Sequence, residues 1–481
     1  MDFKSILRFL SQIGMVLGLF FIADLAVAWV YGEKDGPITL FVMGFILLNL
    51  LIFLGLRSHP MKLGIRESIL SVNLLWILLG VAGGIPLLLY TDVSPASAFF
   101  EAISGFTTTG ATVYSEIESL PKLILFHRSL MHWIGGMGII VLGVGLLSMI
   151  NPSGSLSLFR AESTGIQIEK LRPKIQETAL SLWGIYVALT VADAVLLKIA
   201  GMEWFDAINH AFSTLSTGGF STKNASMGYW QGNSAILWIT TLFMILAGIN
   251  FLAHLRFVHR DSSGYRSEEV RWYLILFLFF SALLTLTHEN LAYDTLWHSA
   301  THSFFTVASV MTTTGFASID YGLWSHTAVA LIFLAMFVGG NAGSTAGGVK
   351  VIRYVVIFKT LFSELKRILH PRAAISVFID GRKISDSVIA STFGFLLLFI
   401  FTNILLTLYI YARGYDEMTA ISGALAIVGN IGPGFAKVGP SENFAFFGDW
   451  DKIVLSVGMI IGRLECYTVY VLLSASFWKK F

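Results

Sequence analysis

The chain has 481 residues, of which 55% are apolar and 13% charged, and its mean hydropathy is +0.73. A soluble domain carries about 25% charged residues, so the composition excludes an ordinary soluble enzyme, a disordered chain and a nucleic-acid binder. Lys+Arg 32 against Asp+Glu 30 leave a net charge of +2, and the single cysteine, Cys466, leaves no internal disulfide and no cysteine-rich metal site. What remains is a multi-pass membrane protein.

The first apolar segment, from Ile6 to Tyr31, is too long and too poorly flanked for a signal peptide, and no small-residue cleavage site follows it. It reads as a retained span. Ten segments reach the roughly 20 apolar residues that a crossing helix needs. They are 6–31, 38–56, 69–90, 125–149, 175–200, 234–256, 270–288, 324–366 (long and interrupted), 386–412 and 451–475. None alternates as a barrel strand would.

Positive charge sorts the connecting loops into two sets. One holds Lys4 and Arg8; Arg57, Lys62 and Arg66; Arg160, Lys170, Arg172 and Lys174; Arg256, Arg260, Arg266 and Arg271; Lys366, Arg367, Arg372, Arg382 and Lys383; and the terminal Lys479 and Lys480. The other is mostly acidic, with Glu116, Glu118, Glu203, Asp206, Asp294, Asp320, Asp416, Glu417 and Asp449. Both termini are therefore expected in the cytoplasm.

Four outward loops, 91–124, 201–233, 289–323 and 413–450, carry an apolar stretch too short to span. Each reads as a re-entrant half-helix, and irregular backbone at membrane depth is tolerated only where it lines a cavity or is buried in protein. Aligned on Gly110, Gly219, Gly315 and Gly432, the loops match without gaps. Three residues before each glycine stand Thr107, Ser216, Thr312 and Gly429, and two before stand Thr108, Thr217, Thr313 and Asn430. Directly before it stand Thr109, Gly218, Thr314 and Ile431. The glycines are 109, 96 and 117 residues apart, enough for a span out, a re-entrant loop and a span back.

The expected fold is thus an all-α polytopic membrane protein. Four span–pore-helix–span repeats surround a pore, after an extra N-terminal two-helix hairpin. The units are 1–62 (hairpin), 63–160, 161–262, 263–372 (with a broken second span) and 373–481. Helices entering from outside would turn their C-termini, each with about half a negative charge, toward one axis. Asp92, Glu203, Asp206, Asp294, Asp416 and Glu417 suit the opposite ends and concentrate cations at the mouth. Glycine lets backbone carbonyls face inward, and four carbonyl rings can replace a potassium ion's hydration shell.

SGFTTTGAT (104–112), STGGFS (216–221), TTTGF (312–316) and GNIGPG (429–434) resemble the filter loops of the TrkH/TrkG/KtrB superfamily of potassium transporters, over essentially the whole chain. The leading hairpin and the length resemble its TrkH branch. The resemblance implies a potassium-conducting, channel-like subunit in the bacterial plasma membrane, a homodimer with a pore in each protomer, and a cytoplasmic nucleotide-binding regulatory subunit of the TrkA type. It implies potassium as the bound and transported ion, with no organic cofactor and no enzymatic activity. It also implies an ion-binding filter of Thr108, Thr109, Gly110, Thr217, Gly218, Gly219, Thr313, Thr314, Gly315, Asn430, Ile431 and Gly432. The fourth loop departs from threonine at Asn430 and Ile431. A sodium-permeable, or proton- or sodium-coupled, cation symporter of the same fold is the alternative, and a metal-dependent membrane enzyme is a remote third.

The eighth segment is interrupted by Gly339-Gly340-Asn341-Ala342-Gly343-Ser344-Thr345-Ala346-Gly347-Gly348. The run from Trp324 to Val338 covers about 22 Å at helical rise, short of the roughly 30 Å core, so the glycines fall inside the membrane. A kink or a loop at the cytoplasmic face are the competing readings. The resemblance implies an intramembrane gating loop formed by Gly339, Gly340, Asn341, Gly343, Ser344, Thr345, Gly347 and Gly348. Gly348-Val349-Lys350 fails the phosphate-loop pattern, which needs lysine right after glycine. Arg463, in mid-span, matches the family's pore arginine and would add a positive barrier and hold the gate; bonding to carbonyls of a neighbouring helix is the alternative. Lys350 reads equally as a gate charge or a snorkelling end residue. The basic stretch 359–386 suits either docking of the regulatory subunit or orientation at the lipid surface. His298 and His302 lack a third metal ligand, and Asp24 and Asp193 are intramembrane carboxylates that more often bond a neighbour than couple an ion.

Overall fold

The computed structural model describes residues 1–150, 175–287, 295–373 and 375–479. Arg160, Lys170, Arg172, Lys174, Asp294 and Lys480, and the boundary between the first two repeats at 160/161, lie outside them.

The chain opens with the antiparallel pair α1 (Phe3–Val30) and α2 (Gly36–Leu56). The Asp2 carboxylate caps α1 by accepting the amides of Lys4 and Ser5. The first repeat follows as α3 (Ile65–Tyr90), α4 (Pro95–Phe106) and α5 (Lys122–Ile150). The second is α6 (Ile175–Ile199), α7 (Trp204–Leu215), α8 (Ser234–Ala247) and α9 (Phe251–Val258). The third is α10 (Glu268–Leu286), α11 (Leu296–Met311), α12 (His326–Ala335) and α13 (Val351–Leu369). A two-stranded hairpin, β1 (Phe378–Ile379) against β2 (Arg382–Lys383), leads into the fourth, α14 (Asp386–Ala412), α15 (Glu417–Val428) and α16 (Asp449–Arg463). Among the described residues six single helices are long and apolar enough to cross a membrane, and two bent helix pairs meet the same test. The molecule is a polytopic all-α membrane protein.

The short helices α4, α7, α11 and α15 are the expected half-helices. They are enclosed: every residue of α4 from Phe100 to Phe106, and of α15 from Ser422 to Val428, is buried. Their starts are fixed by side-chain caps. Ser94 accepts the Ser97 amide ahead of Pro95, Thr295 accepts that of His298, and Asp416 accepts that of Thr419. Of the acidic residues expected at these starts, Asp416 is a cap, whereas the cap of α4 is Ser94 and not Asp92.

Each short helix needs partners on all sides. Besides the spans of its own repeat, α4 packs on α16, α7 packs on α5, and α11 packs on α8. Three of the four thus lie against the second span of the preceding repeat, and the fourth repeat adjoins the first. Small residues set the approach: α3 meets α4 through Gly80 against Ile103 and Gly84 against the Ala98 backbone.

Two spans expected to be continuous are broken. Residues 234–256 form α8 and α9, which meet at 96°, and residues 451–475 form α16 and the turns Tyr467–Leu473, which meet at 113°. At the first break Asn250 caps α9 by accepting the Leu252 amide at 2.8 Å. At the second, Glu465 and Cys466 both take left-handed backbone, with φ of 59° and 58°. The helix before the glycine run is also shorter than expected, ending at Ala335.

Candidate ion pathway

The four short helices end alike. Two loop amides turn back onto the last helical turn in each: Thr108 to Gly105 O (3.1 Å) and Thr109 to Ser104 O (2.9 Å); Thr217 to Thr214 O (3.0 Å) and Gly218 to Ser213 O (2.8 Å). The same pairs recur as Thr313 to Val310 O (3.2 Å) and Thr314 to Ser309 O (2.8 Å), and as Asn430 to Ile427 O (3.2 Å) and Ile431 to Ala426 O (2.8 Å). This is the Schellman cap, which requires one left-handed residue. That residue is Thr108 (φ 52°), Thr217 (56°), Thr313 (56°) and Asn430 (53°). Asparagine tolerates this region; a β-branched threonine there stores strain of about 1–3 kcal/mol.

Two residues on, the backbone is left-handed again, at Gly110 (φ 84°), Gly219 (86°), Gly315 (81°) and Gly432 (94°). A Cβ on Gly110 would collide with the Gly218 carbonyl oxygen, and one on Gly219 with that of Thr314. One on Gly315 would collide with Ile431 O, and one on Gly432 with Thr109 O. Each glycine therefore abuts the carbonyl of the next repeat, and the fourth closes onto the first. The sequence-aligned glycines form one closed ring, with the carbonyls of Thr109, Gly218, Thr314 and Ile431 around it.

The backbone repeats fourfold but its anchors do not. In the first loop Thr107 Oγ1 donates to Ile103 O and meets Thr109 Oγ1, both at 2.7 Å. In the third, Thr312 does the same with Ala308 O and Thr314 Oγ1, also at 2.7 Å. In the fourth, Asn430 Nδ2 donates to Thr109 Oγ1 of the adjoining first loop (2.9 Å) and to Met459 O of its own repeat (3.0 Å). Outside the ring, Glu101 and Arg128 form a buried pair at 2.8 Å. Glu101 also accepts Thr112 Oγ1 (2.9 Å) and the Val113 amide (2.8 Å), while Arg128 donates to Ser221 O (3.2 Å). This pair joins the outer ends of the first two loops. Sequence reasoning missed both residues, since an isolated Glu and Arg carry no pattern.

The glycine run lies directly against the inner side of the ring. The Gly347 amide donates to Thr313 Oγ1 at 2.6 Å, and a Cβ at Gly347 would meet Gly429 O and Asn430. Thr345 Oγ1 donates to Leu215 O at 3.0 Å, at the end of α7. The run is thus neither a kink nor a surface loop. It reaches its place because α8 breaks: the Asn341 amide donates to Gly248 O (2.9 Å) and the Phe251 amide to Gly343 O (3.1 Å). Gly339, Gly340, Asn341, Ser344, Thr345 and Gly347 are buried and Gly348 is half-buried, while Gly343 is exposed; Gly343 and Gly348 are left-handed, at φ 75° and 66°.

Arg463 is buried and donates to Thr345 O at 3.0 Å and Gly135 O at 3.5 Å. The two sequence readings of this residue meet here, because one carbonyl belongs to the glycine run and the other to neighbouring α5. Lys350 is buried too, and its ammonium bonds Ala346 O within the run, so it does not snorkel. Sequence reasoning missed Glu269, whose Oε1 accepts the Ala342 amide at 2.6 Å. Ser267-Glu268-Glu269 reads only as a helix start. The Glu465 carboxylate pairs with Arg353, just beyond the run.

The remaining candidates lie away from the ring glycines and the glycine run. His302 Nδ1 meets Ser318 Oγ at 2.9 Å, and among the described residues no group of three or more His, Cys, Asp or Glu side chains could hold a metal. Asp24 pairs with His127 Nδ1 at 2.8 Å, and His127 Nε2 faces Gly83 O at 3.0 Å, which fastens the leading hairpin to the first repeat. Asp193 is buried beside Thr214 of α7.

Comparison with known proteins agrees with this architecture throughout the chain. The TrkH family model, described as "Cation transport protein", matches residues 37–480. The chain is 38% identical to the Trk system potassium uptake protein TrkH of Vibrio parahaemolyticus and 36% identical to that of Escherichia coli, in each case over 100% of both chains. It is 33% identical to TrkG of Escherichia coli over 88% of each. The crystal structure of the potassium transporter TrkH from Vibrio parahaemolyticus superposes with a TM-score of 0.89 at 34% identity, covering 100% of both chains. The matched relatives are named as transport proteins and not as enzymes: the chain belongs to the TrkH family of cation transport proteins.

Proposed function

We propose that the chain is the potassium-selective, ion-conducting subunit of a Trk-type uptake system. The observation that carries this reading is the closed ring in which each left-handed glycine abuts the next repeat's carbonyl. Thr108, Thr109, Gly110, Thr217, Gly218, Gly219, Thr313, Thr314, Gly315, Asn430, Ile431 and Gly432 form the filter. Its carbonyls replace the hydration shell of potassium, with four helix C-termini adding negative potential behind them. Potassium is the cargo.

The run from Gly339 to Gly348, with Lys350 and Arg463, is the gate. Its contacts with Thr313, Leu215 and Gly429 close the space beneath the filter, and Arg463 places a positive charge at the same level. The protein works as a homodimer in the plasma membrane with a TrkA-type nucleotide-binding partner on the cytoplasmic side. The basic stretch 359–386 supplies the docking surface. Arg66 bonds the Lys479 carbonyl, and the N-terminal amine lies 3.9 Å from Glu67, so both termini meet on the side of the basic 57–66 loop. This supports a cytoplasmic position for both.

Cation flux into liposomes holding the full chain, with no proton or sodium gradient, tests the proposal. Potassium flux that exceeds sodium flux and runs down its own gradient supports it. Flux that stops when a proton or sodium gradient is collapsed would replace it with a coupled symporter.

A further inference from the structure

Three of the four filter loops carry a side chain directly before the ring glycine: Thr109, Thr314 and Ile431. The second carries Gly218. Its backbone does not require glycine, because Gly218 itself is not left-handed, although its neighbours Thr217 and Gly219 are. The reason is a neighbour. The three atoms that a Cβ on Gly218 would meet first all belong to the imidazole of His132, on α5 of the preceding repeat.

His132 is itself fixed. It is fully buried, and its Nδ1 lies 2.6 Å from Gly105 O, so Nδ1 carries a proton and donates it to the end of α4. The ring stacks on Phe220, with centroids 4.1 Å apart and planes at 28°. Arg128, one turn earlier on α5, rests its guanidinium on the same Phe220 ring at 4.1 Å and donates to Ser221 O. Residues 218–221 of the second loop are therefore held from outside by one face of α5.

The second loop also lacks the hydroxyl pair that ties loops one and three. Ser216 Oγ donates to Phe212 O at 2.7 Å, as Thr107 and Thr312 do with their own helices, but glycine at 218 offers no hydroxyl to meet it. An imidazole from another repeat stands where that side chain would be.

We infer that His132 is the positioning residue of the second filter loop, substituting for the missing side chain at 218 and thereby setting the ion preference of the ring. It does not touch the ion. It fixes the Gly218 carbonyl by filling the space behind it. The inference rests on the filter reading above.

The test is a double-substitution cycle read by isothermal titration of the purified full chain with potassium and with sodium, which needs no open gate. His132→Ala vacates the ring space and is expected to lower the potassium-to-sodium affinity ratio on the order of tenfold. Gly218→Thr alone collides with the ring and is expected to lower it at least as far. Together they are expected to recover most of the ratio, because the introduced threonine fits the vacated space and can meet Ser216 as Thr109 meets Thr107. Gly218→Val in the same background fills the space without the hydroxyl and is expected to recover less. His132→Ser vacates the space while leaving a hydroxyl for Gly105 O, and it replaces the alanine variant if that is not recovered folded. Losses that simply add would overturn the inference, as would an unchanged ratio in His132→Ala. Gly110→Ser separates the two levels: if it shifts the ratio and the His132 variants do not, the inference fails alone. If neither shifts it, the filter reading itself fails.

Discussion

Thr313 Oγ1 accepts the Gly347 amide at 2.6 Å, so one side chain belongs at once to the closed ring of glycine-containing loops and to the glycine run packed against it. Thr313 is also one of the left-handed Schellman residues, with φ 56°. Movement of the run must therefore break a bond to the ring itself.

Thr313→Val keeps the shape of the side chain and removes the acceptor. The buried Gly347 amide is then unpaired, at a cost of about 1–3 kcal/mol to the closed arrangement. Basal potassium efflux from liposomes is expected to rise about tenfold. Unchanged efflux would mean that this bond does not hold the run shut.

Gly110→Ser should admit sodium. Its φ of 84° is unfavourable for serine, and the new Cβ meets Gly218 O, so the ring must widen at the joint between loops one and two. The expected result is a potassium-to-sodium flux ratio reduced by roughly tenfold, without loss of total flux. A ratio equal to that of the parent protein counts against the filter assignment.

Glu269 holds the glycine run from the side of α10, through the Ala342 amide. Its removal leaves the buried Ala342 amide unpaired, at a cost of about 1–3 kcal/mol, so Glu269→Ala is expected to raise basal flux about as much as Thr313→Val. Deleting Gly339–Gly348 should raise it further. If the deletion variant is folded and silent, the run is not the barrier.

Asp24→Ala separates anchoring from conduction. It leaves His127 buried without its partner, which costs about 3–5 kcal/mol for a buried pair. The thermal midpoint in detergent should fall, whereas the potassium-to-sodium ratio of the surviving protein should not change. A changed ratio would connect the leading hairpin to the filter.

The four loops were legible because the glycine keeps its register in all four copies, with hydroxyl residues ahead of it in the first three, and each needs the same cap. The position of the glycine run was legible because Trp324–Val338 is too short to cross. The breaks at 248–250 and 464–466 were not. Apolar residues continue on both sides of each, no proline marks them, and what stabilises them is bonding to the glycine run and to α13. Glu269 and Glu101 were missed for a related reason. Their partners are 73 and 27 residues away, so neither spacing nor periodicity brings them together.

The ring has one backbone and unlike anchors: hydroxyl pairs in loops one and three, the His132 imidazole behind loop two, and the Asn430 amide in loop four. A pore assembled from four identical chains cannot have this. There, every substitution lands in quadruplicate, and a change that is tolerable once is imposed on every side of the ion. With all quarters encoded on a single polypeptide, a change reaches one side only. The glycine run can then be met differently by different quarters, by the Thr313 hydroxyl in the third and by the Leu215 carbonyl in the second.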